Sequence, residues 1–146
     1  MEVNKGEIFG FLGPNGAGKS TTIRTILDFI RPTSGKVEIF GLDSFHHSEE
    51  VKKKIGYLAG DSFLYMNMNG YDLLKHISYL SGGIKLRYLD SLVTKLKADL
   101  SKPIKSLSKG NRQKIGIITA LMNKPDLLIL DEPTSGFRSI NETDLL

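Results

Sequence analysis

The stretch GEIFGFLGPNGAGKST, residues 6–21, decides how the rest of the chain is read. Its first half, EIFGFL (7–12), is a short apolar run that predicts a buried strand, and the glycines after it predict a tight turn. The run KSTTIRTILDFI (19–30) then takes up helical spacing, with Ile23, Ile26, Leu27 and Ile30 on one face. GPNGAGKST (13–21) matches G-x-x-x-x-G-K-[ST] between a strand and a helix, the context in which that pattern has a mechanism. Gly13, Gly16 and Gly18 let the backbone turn with its N–H groups pointing inward, and the helix start adds its positive end. The prediction is a phosphate cradle made of Gly13, Pro14, Asn15, Gly16, Ala17, Gly18, Lys19, Ser20 and Thr21. Lys19 can reach the β- and γ-phosphates of a nucleotide, and the Ser20 hydroxyl can ligate Mg²⁺.

The composition suits one ordinary globular domain and narrows the alternatives. With 146 residues, 40% of them hydrophobic, the chain is long enough to bury a core. No apolar run approaches a membrane span, and the N-terminus lacks the pattern of a signal peptide. Zero cysteines exclude a disulfide framework and a thiolate metal site. His46, His47 and His76 show no ligand spacing. Lys52, Lys53 and Lys54 read as a solvated helix face, and no interleaved aromatic and basic pattern points to nucleic acid.

Beyond the opening motif, KVEIF (36–40) and IGYLAG (55–60) read as strands, with a short polar helix around 46–54 between them. Residues 71–81 and 86–97 read as amphipathic helices split by SGG (81–83). Residues 108–122 read as a helix capped by Ser108, and DLLILDE (126–132) as a buried parallel strand. The expected fold is therefore α/β with a mostly parallel sheet. It is organised as a single domain, 1–146, with a core from 1–60 and 107–146 and a helical subdomain at about 61–106. Paired with the phosphate loop, the acids ending the last strand suggest Asp131 as a magnesium ligand and Glu132 as the general base for water. The alternative is that Asp131 merely caps the turn that follows. LSKGNRQ (107–113), taken alone, is equally an ordinary helix N-terminus.

Four stretches in order change that balance: GEIFGFLGPNGAGKST, IRPTSGKVEIFG, KKKIGYL and SLSKGNRQKIGIITALMNKPDLLILDEPTSG. Together they resemble the ATP-binding subunit of ABC transporters, a P-loop NTPase, over nearly the whole chain. The resemblance implies ATP and Mg²⁺ as cofactors and ATP hydrolysis that powers transport by a separate membrane permease. It places the protein in the cytoplasm, at the inner face of the cell membrane. It also implies a second ABC ATPase domain bound head to tail, to whose nucleotide Ser108, Lys109, Gly110 and Asn111 would be presented in trans. Lys109 and Asn111 depart from the usual L-S-G-G-Q, in a manner similar to bacterial exporter ATPases. Where the family has a glutamine near Mg²⁺ and the attacking water, this chain has Gly60 followed by Asp61. Phe63, Leu64, Tyr65 and Met66 correspond to the surface that receives the membrane subunit, and read equally well as core. A non-enzymatic remnant binding nucleotide or a partner is the alternative, followed by a soluble ABC ATPase of DNA repair or translation.

The resemblance further implies a cassette that is incomplete at both ends, impaired in hydrolysis, marginally stable and prone to associate. No aromatic residue for stacking on adenine precedes MEVNKGEIFGF, and GFRSINETDLL stands where the family continues Gly-Leu-Asp. GFRSINE can be encoded as GGT TTT AGA TCC ATT AAT GAA. Removal of one T from TTT turns the same bases into Gly-Leu-Asp-Pro-Leu-Met. A frame shift, as against a divergent C-terminus, therefore predicts a gene that carries Leu-Asp-Pro in the neighbouring frame after the Gly136 codon. Sequencing the gene checks this, and codons without that reading refute a frame shift.

Overall fold

The computed structural model describes residues 1–60, 65–83 and 86–131. The chain divides into two compact units, Met1–Val51 and Lys52–Leu146.

In the first unit, helix α1 (Lys19–Ile26) buries Ile23, and Leu27 is buried just past its end. The apolar spacing predicts a longer helix, to residue 30. Asp28 stops it by entering the left-handed region at φ 54°. The N–H of Asp28 then donates to the Thr25 carbonyl (3.1 Å) and that of Phe29 to the Arg24 carbonyl (2.8 Å). This is the paired closure that usually employs glycine, here built on an aspartate. Downstream, β1 (Glu38–Ile39) pairs antiparallel with β2 (Leu42–Asp43), Ile39 standing opposite Leu42. The two-residue turn between them has Phe40 at φ 55° and Gly41 at φ 77°. Two positive φ values give the hairpin turn whose twist matches the strands. The short helix α2 (Ser48–Lys52) follows, with Val51 buried.

The strand expected at 7–12 does not form. Ile8 and Leu12 are each 90% exposed, and among the described residues no strand pairs with the run. A strand needs a neighbour for its N–H and C=O groups. Apolar composition says what a segment buries when given a partner and does not supply one.

In the second unit, β3 (Ile55–Leu58) and β4 (Leu127–Leu130) pair in parallel, Ile55 opposite Leu127 and Leu58 opposite Leu130. The bonding extends past both ends, with Leu127 N–H on the Lys54 carbonyl (3.1 Å) and Asp131 N–H on the Leu58 carbonyl (2.9 Å). The chain between the two strands supplies α3 (Gly70–Leu80), α4 (Leu86–Leu96), a 3₁₀ turn at Ile104–Ser106 and α5 (Lys109–Leu121). These helices close a core in which Leu73, Leu74, Ile104, Ile115, Ile117 and Ile118 are buried. Asn69 caps α3 reciprocally: its Oδ1 accepts from Asp72 N–H and its Nδ2 donates to Asp72 Oδ2, each at 2.8 Å.

Helix α5 packs against β3 so closely that Gly56 has no space for a side chain. A Cβ there would lie 2.1 Å from the Ala120 carbonyl oxygen and 2.8 Å from Pro125 Cγ. Both obstacles are held rigidly, one by a helix backbone and one by a proline ring. Gly56→Ala is therefore expected to destabilise the second unit by about 1–3 kcal/mol, the usual cost of overpacking. The shift in denaturation midpoint against wild type measures it, and an unchanged midpoint would contradict this packing.

Candidate functional site

The predicted phosphate loop lies in the first unit. Gly16 (φ 83°) and Gly18 (φ 88°) both occupy left-handed backbone, separated by Ala17, whose N–H donates to the Pro14 carbonyl at 3.2 Å. Such a turn aims successive N–H groups to one side, and only glycine adopts it without strain. Gly18 is also the N-cap of α1, makes no side-chain cap bond, and no acidic residue stands in the first helical turn. The opening N–H groups of α1 therefore retain their capacity for an anion. Lys19 folds back over the loop, its Nζ donating to the carbonyls of Gly13 (2.8 Å) and Pro14 (2.9 Å). A Cβ on Gly13 would press on Ala17 Cβ at 3.2 Å, so the loop's entry and exit lie close together. Ser20 is half-buried and Thr21 exposed on the first turn of α1. This donor set, with one ammonium and no carboxylate in the first helical turn, fits a phosphate group.

Asp131 and the 108–111 turn belong to the second unit. Asp131 follows the last residue of β4 and is half-buried, its N–H fixed on Leu58. Gly60 lies two residues beyond the end of the neighbouring strand. Glu132, Asp61, Phe63, Leu64 and the tail from 133 onward lie outside the described residues. Of the four docking candidates, Tyr65 and Met66 are described and are 57% and 43% exposed, so neither is core. The Tyr65 ring meets the edge of His76 at 5.7 Å.

Ser108 caps α5 as its sequence position predicts, Oγ accepting from Asn111 N–H at 3.2 Å. A hydroxyl that accepts in this way keeps its own proton for an acceptor elsewhere. Lys109 is exposed, and open space surrounds the position of a Cβ on Gly110. Among the described residues, none outside the local backbone comes within 4 Å of where that Cβ would stand. Arg112 closes the turn from behind, donating from Nη1 to the Leu107 carbonyl at 2.6 Å.

The sequence profile of the ABC transporter family matches residues 1–135. The chain belongs to that family. Among its relatives, the bacitracin transport ATP-binding protein of Bacillus licheniformis is 39% identical over 142 residues, covering 96% of this chain and 46% of that protein. An uncharacterized ABC transporter ATP-binding protein of Bacillus subtilis is 41% identical over 138 residues, covering 93% of this chain and 45% of the relative. The chain thus spans about half the length of the curated relatives it matches. The dimeric structure of a bacterial ABC transporter cassette superposes with a TM-score of 0.82 at 23% identity, covering 95% of this chain and 66% of that one. The fold is accordingly that of an ABC ATPase cassette, α/β with parallel strands and a helical segment between β3 and β4.

In this ABC cassette the structure adds one residue pair that sequence reading did not find. The Asn111 side chain binds the backbone of Asp99, twelve positions earlier. No local pattern announces such a bond, because its partner arrives only after the helices pack. The Asp99 carboxylate is in turn held below the ordinary carboxylate pKa, chiefly by the Ser101 hydroxyl and then by the Ser101 N–H. A depressed pKa means that this bond contributes above the ordinary carboxylate value and is lost as pH falls through the lowered one. Ser101→Ala is expected to move the Asp99 titration upward toward that ordinary value. Carboxyl-carbon NMR across the acid range reads it, and an unmoved titration would contradict the Ser101 assignment.

Proposed function

We propose that this chain is the nucleotide-binding part of an ATP-driven transport subunit that works on a separate membrane permease. The observation that carries the reading is the pair of left-handed glycines, Gly16 and Gly18, feeding an uncapped α1 with Lys19 folded over the same loop. Family membership supports ATP as the phosphate source.

In this reading Gly13–Thr21 hold the phosphates through backbone N–H groups. Lys19 exchanges its bonds to the Gly13 and Pro14 carbonyls for charge-assisted bonds to the β- and γ-phosphates. Ser20 and Asp131 are the residues that would hold Mg²⁺, which when bound neutralises charge on the transferring phosphoryl group. Glu132 orients and deprotonates the attacking water. Ser108, Lys109, Gly110 and Asn111 form the turn presented in trans by a second cassette, the Ser108 proton and the start of α5 facing the γ-phosphate. Residues 1–60 and 107–146 make the ATPase core, and about 61–106 the helical subdomain. The exposed Tyr65 and Met66 belong to the surface that meets the permease. Among the described residues no helix is long and apolar enough to cross a membrane, which is consistent with attachment through that partner at the inner face.

Titration of a fluorescent ATP analogue with Mg²⁺ tests the reading. Lys19→Ala is expected to weaken binding roughly ten- to a hundredfold, the scale of losing a charged hydrogen-bond donor. Equal affinity in wild type and variant would refute it.

A further inference from the structure

Asn111 does more at the start of α5 than occupy a helical position. Its backbone N–H is taken by Ser108 Oγ at 3.2 Å, while its side chain leaves the helix for residue 99. Oδ1 accepts from the Asp99 N–H at 2.8 Å, and Nδ2 donates to the Asp99 carbonyl at 2.6 Å. Both polar groups of one side chain thus pair with both backbone groups of one residue, as two peptides do across a ladder. The match also fixes the orientation of the amide. Reversed, it would set donor against donor and acceptor against acceptor.

The segment that Asn111 grips is itself firmly held. Lys97 leaves α4 with a left-handed φ of 49°, and the Asp99 carboxylate accepts from both the N–H (2.9 Å) and the hydroxyl (2.7 Å) of Ser101. Leu100 is buried, and its carbonyl accepts from Gly70 N–H at 2.9 Å. A Cβ on Gly70 would lie 2.8 Å from Leu100 Cα, so the start of α3 sits against this loop without slack. Lys114, one turn further along α5, adds a bond from Nζ to the Lys97 carbonyl at 3.4 Å. The start of α3, the end of α4 and the first turn of α5 therefore converge on residues 97–101.

We propose that Asn111 is a positioning residue that locks the first turn of α5, with Ser108 and Gly110, to the 97–101 loop. The role rests on the reading above, in which that turn faces a partner cassette's nucleotide. Both ends of the amide are engaged within the chain, so Asn111 acts on nucleotide through the angle of α5 and not by touching it. A small tilt at the helix start moves the Ser108 hydroxyl off the line to a phosphate, and hydrogen bonds weaken steeply with angle.

The test compares the 146-residue wild-type chain with Asn111→Ala, Ser108→Ala and their double variant. Hydrogen–deuterium exchange is measured together with self-association induced by ATP and Mg²⁺, followed by light scattering. In Asn111→Ala, exchange at 98–101 and 108–112 is expected to rise roughly tenfold, the scale of two lost hydrogen bonds, while Ile115–Ile118 stay protected. ATP-induced association is expected to weaken roughly tenfold, with the double variant no worse than the weaker single variant, because Asn111 acts through Ser108. Binding of the fluorescent ATP analogue by wild type and Lys19→Ala is measured in parallel, to separate the phosphate loop from this role. Exchange that rises equally at Ile115–Ile118 overturns the role, since Asn111 would then only stabilise the fold. Additive losses, unchanged association in Asn111→Ala, or no association in wild type also overturn it, while Lys19-dependent binding leaves the nucleotide reading standing. Wild type without Lys19-dependent binding refutes the nucleotide reading and this role with it.

Discussion

The close approach of α5 to β3 at Gly56 is the constraint on which the second unit depends. With the Ala120 carbonyl 2.1 Å from where a Cβ would stand, the end of α5 lies directly on the strand backbone. The chain then turns through Pro125 into β4, which pairs in register beside β3. That pairing sets Asp131 at the end of the sheet, with its N–H on Leu58. At the other end of α5, thirteen residues and about 20 Å away, stands the Ser108 turn. One helix thus runs from its contact with the strand backbone at Gly56 to the turn proposed to face a second nucleotide. Its sheet end is fixed by contact with backbone and its free end by the bonds to residues 97–101.

The phosphate loop uses a different device. Its positive character comes from backbone geometry, through Gly16 and Gly18 and the uncapped start of α1, with a single side-chain cation. A site made of N–H groups has little to reorganise when charge arrives. Lys19, bonded to two carbonyls of its own loop, stands beside the proposed phosphate position. The loop can be formed locally, because its bonds run between residues only a few positions apart.

That difference in range explains what could be read in advance. The loop, the Ser108 cap and helices α3, α4 and α5 were legible to within a residue or two, since each rests on local spacing or a local hydrogen bond. The early end of α1 was not, because the residue that turns left-handed is Asp28 where a glycine would have been the signal. The β1–β2 hairpin escaped notice for the same reason, with Phe40 at the first turn position. The strand expected at 7–12 failed in the opposite sense: its composition promised burial, and among the described residues no partner strand receives it. The candidate site divides likewise. The phosphate loop is written in consecutive residues, whereas the bonds of Asn111 to Asp99 span the α4–α5 connection.

By itself, the sequence determined the chemistry that short stretches can hold: a glycine turn opening a helix beside a lysine, a serine placed to cap α5, and an apolar strand ending in acids. These rest on backbone conformations that a few adjacent residues impose. Only the tertiary structure decided which apolar runs find partners, which glycine is required by packing, and which side chain ties the start of α5 to residue 99. Those outcomes depend on contacts between residues distant in the chain, and Gly56 against Ala120 and Asn111 against Asp99 exist only once the helices have packed.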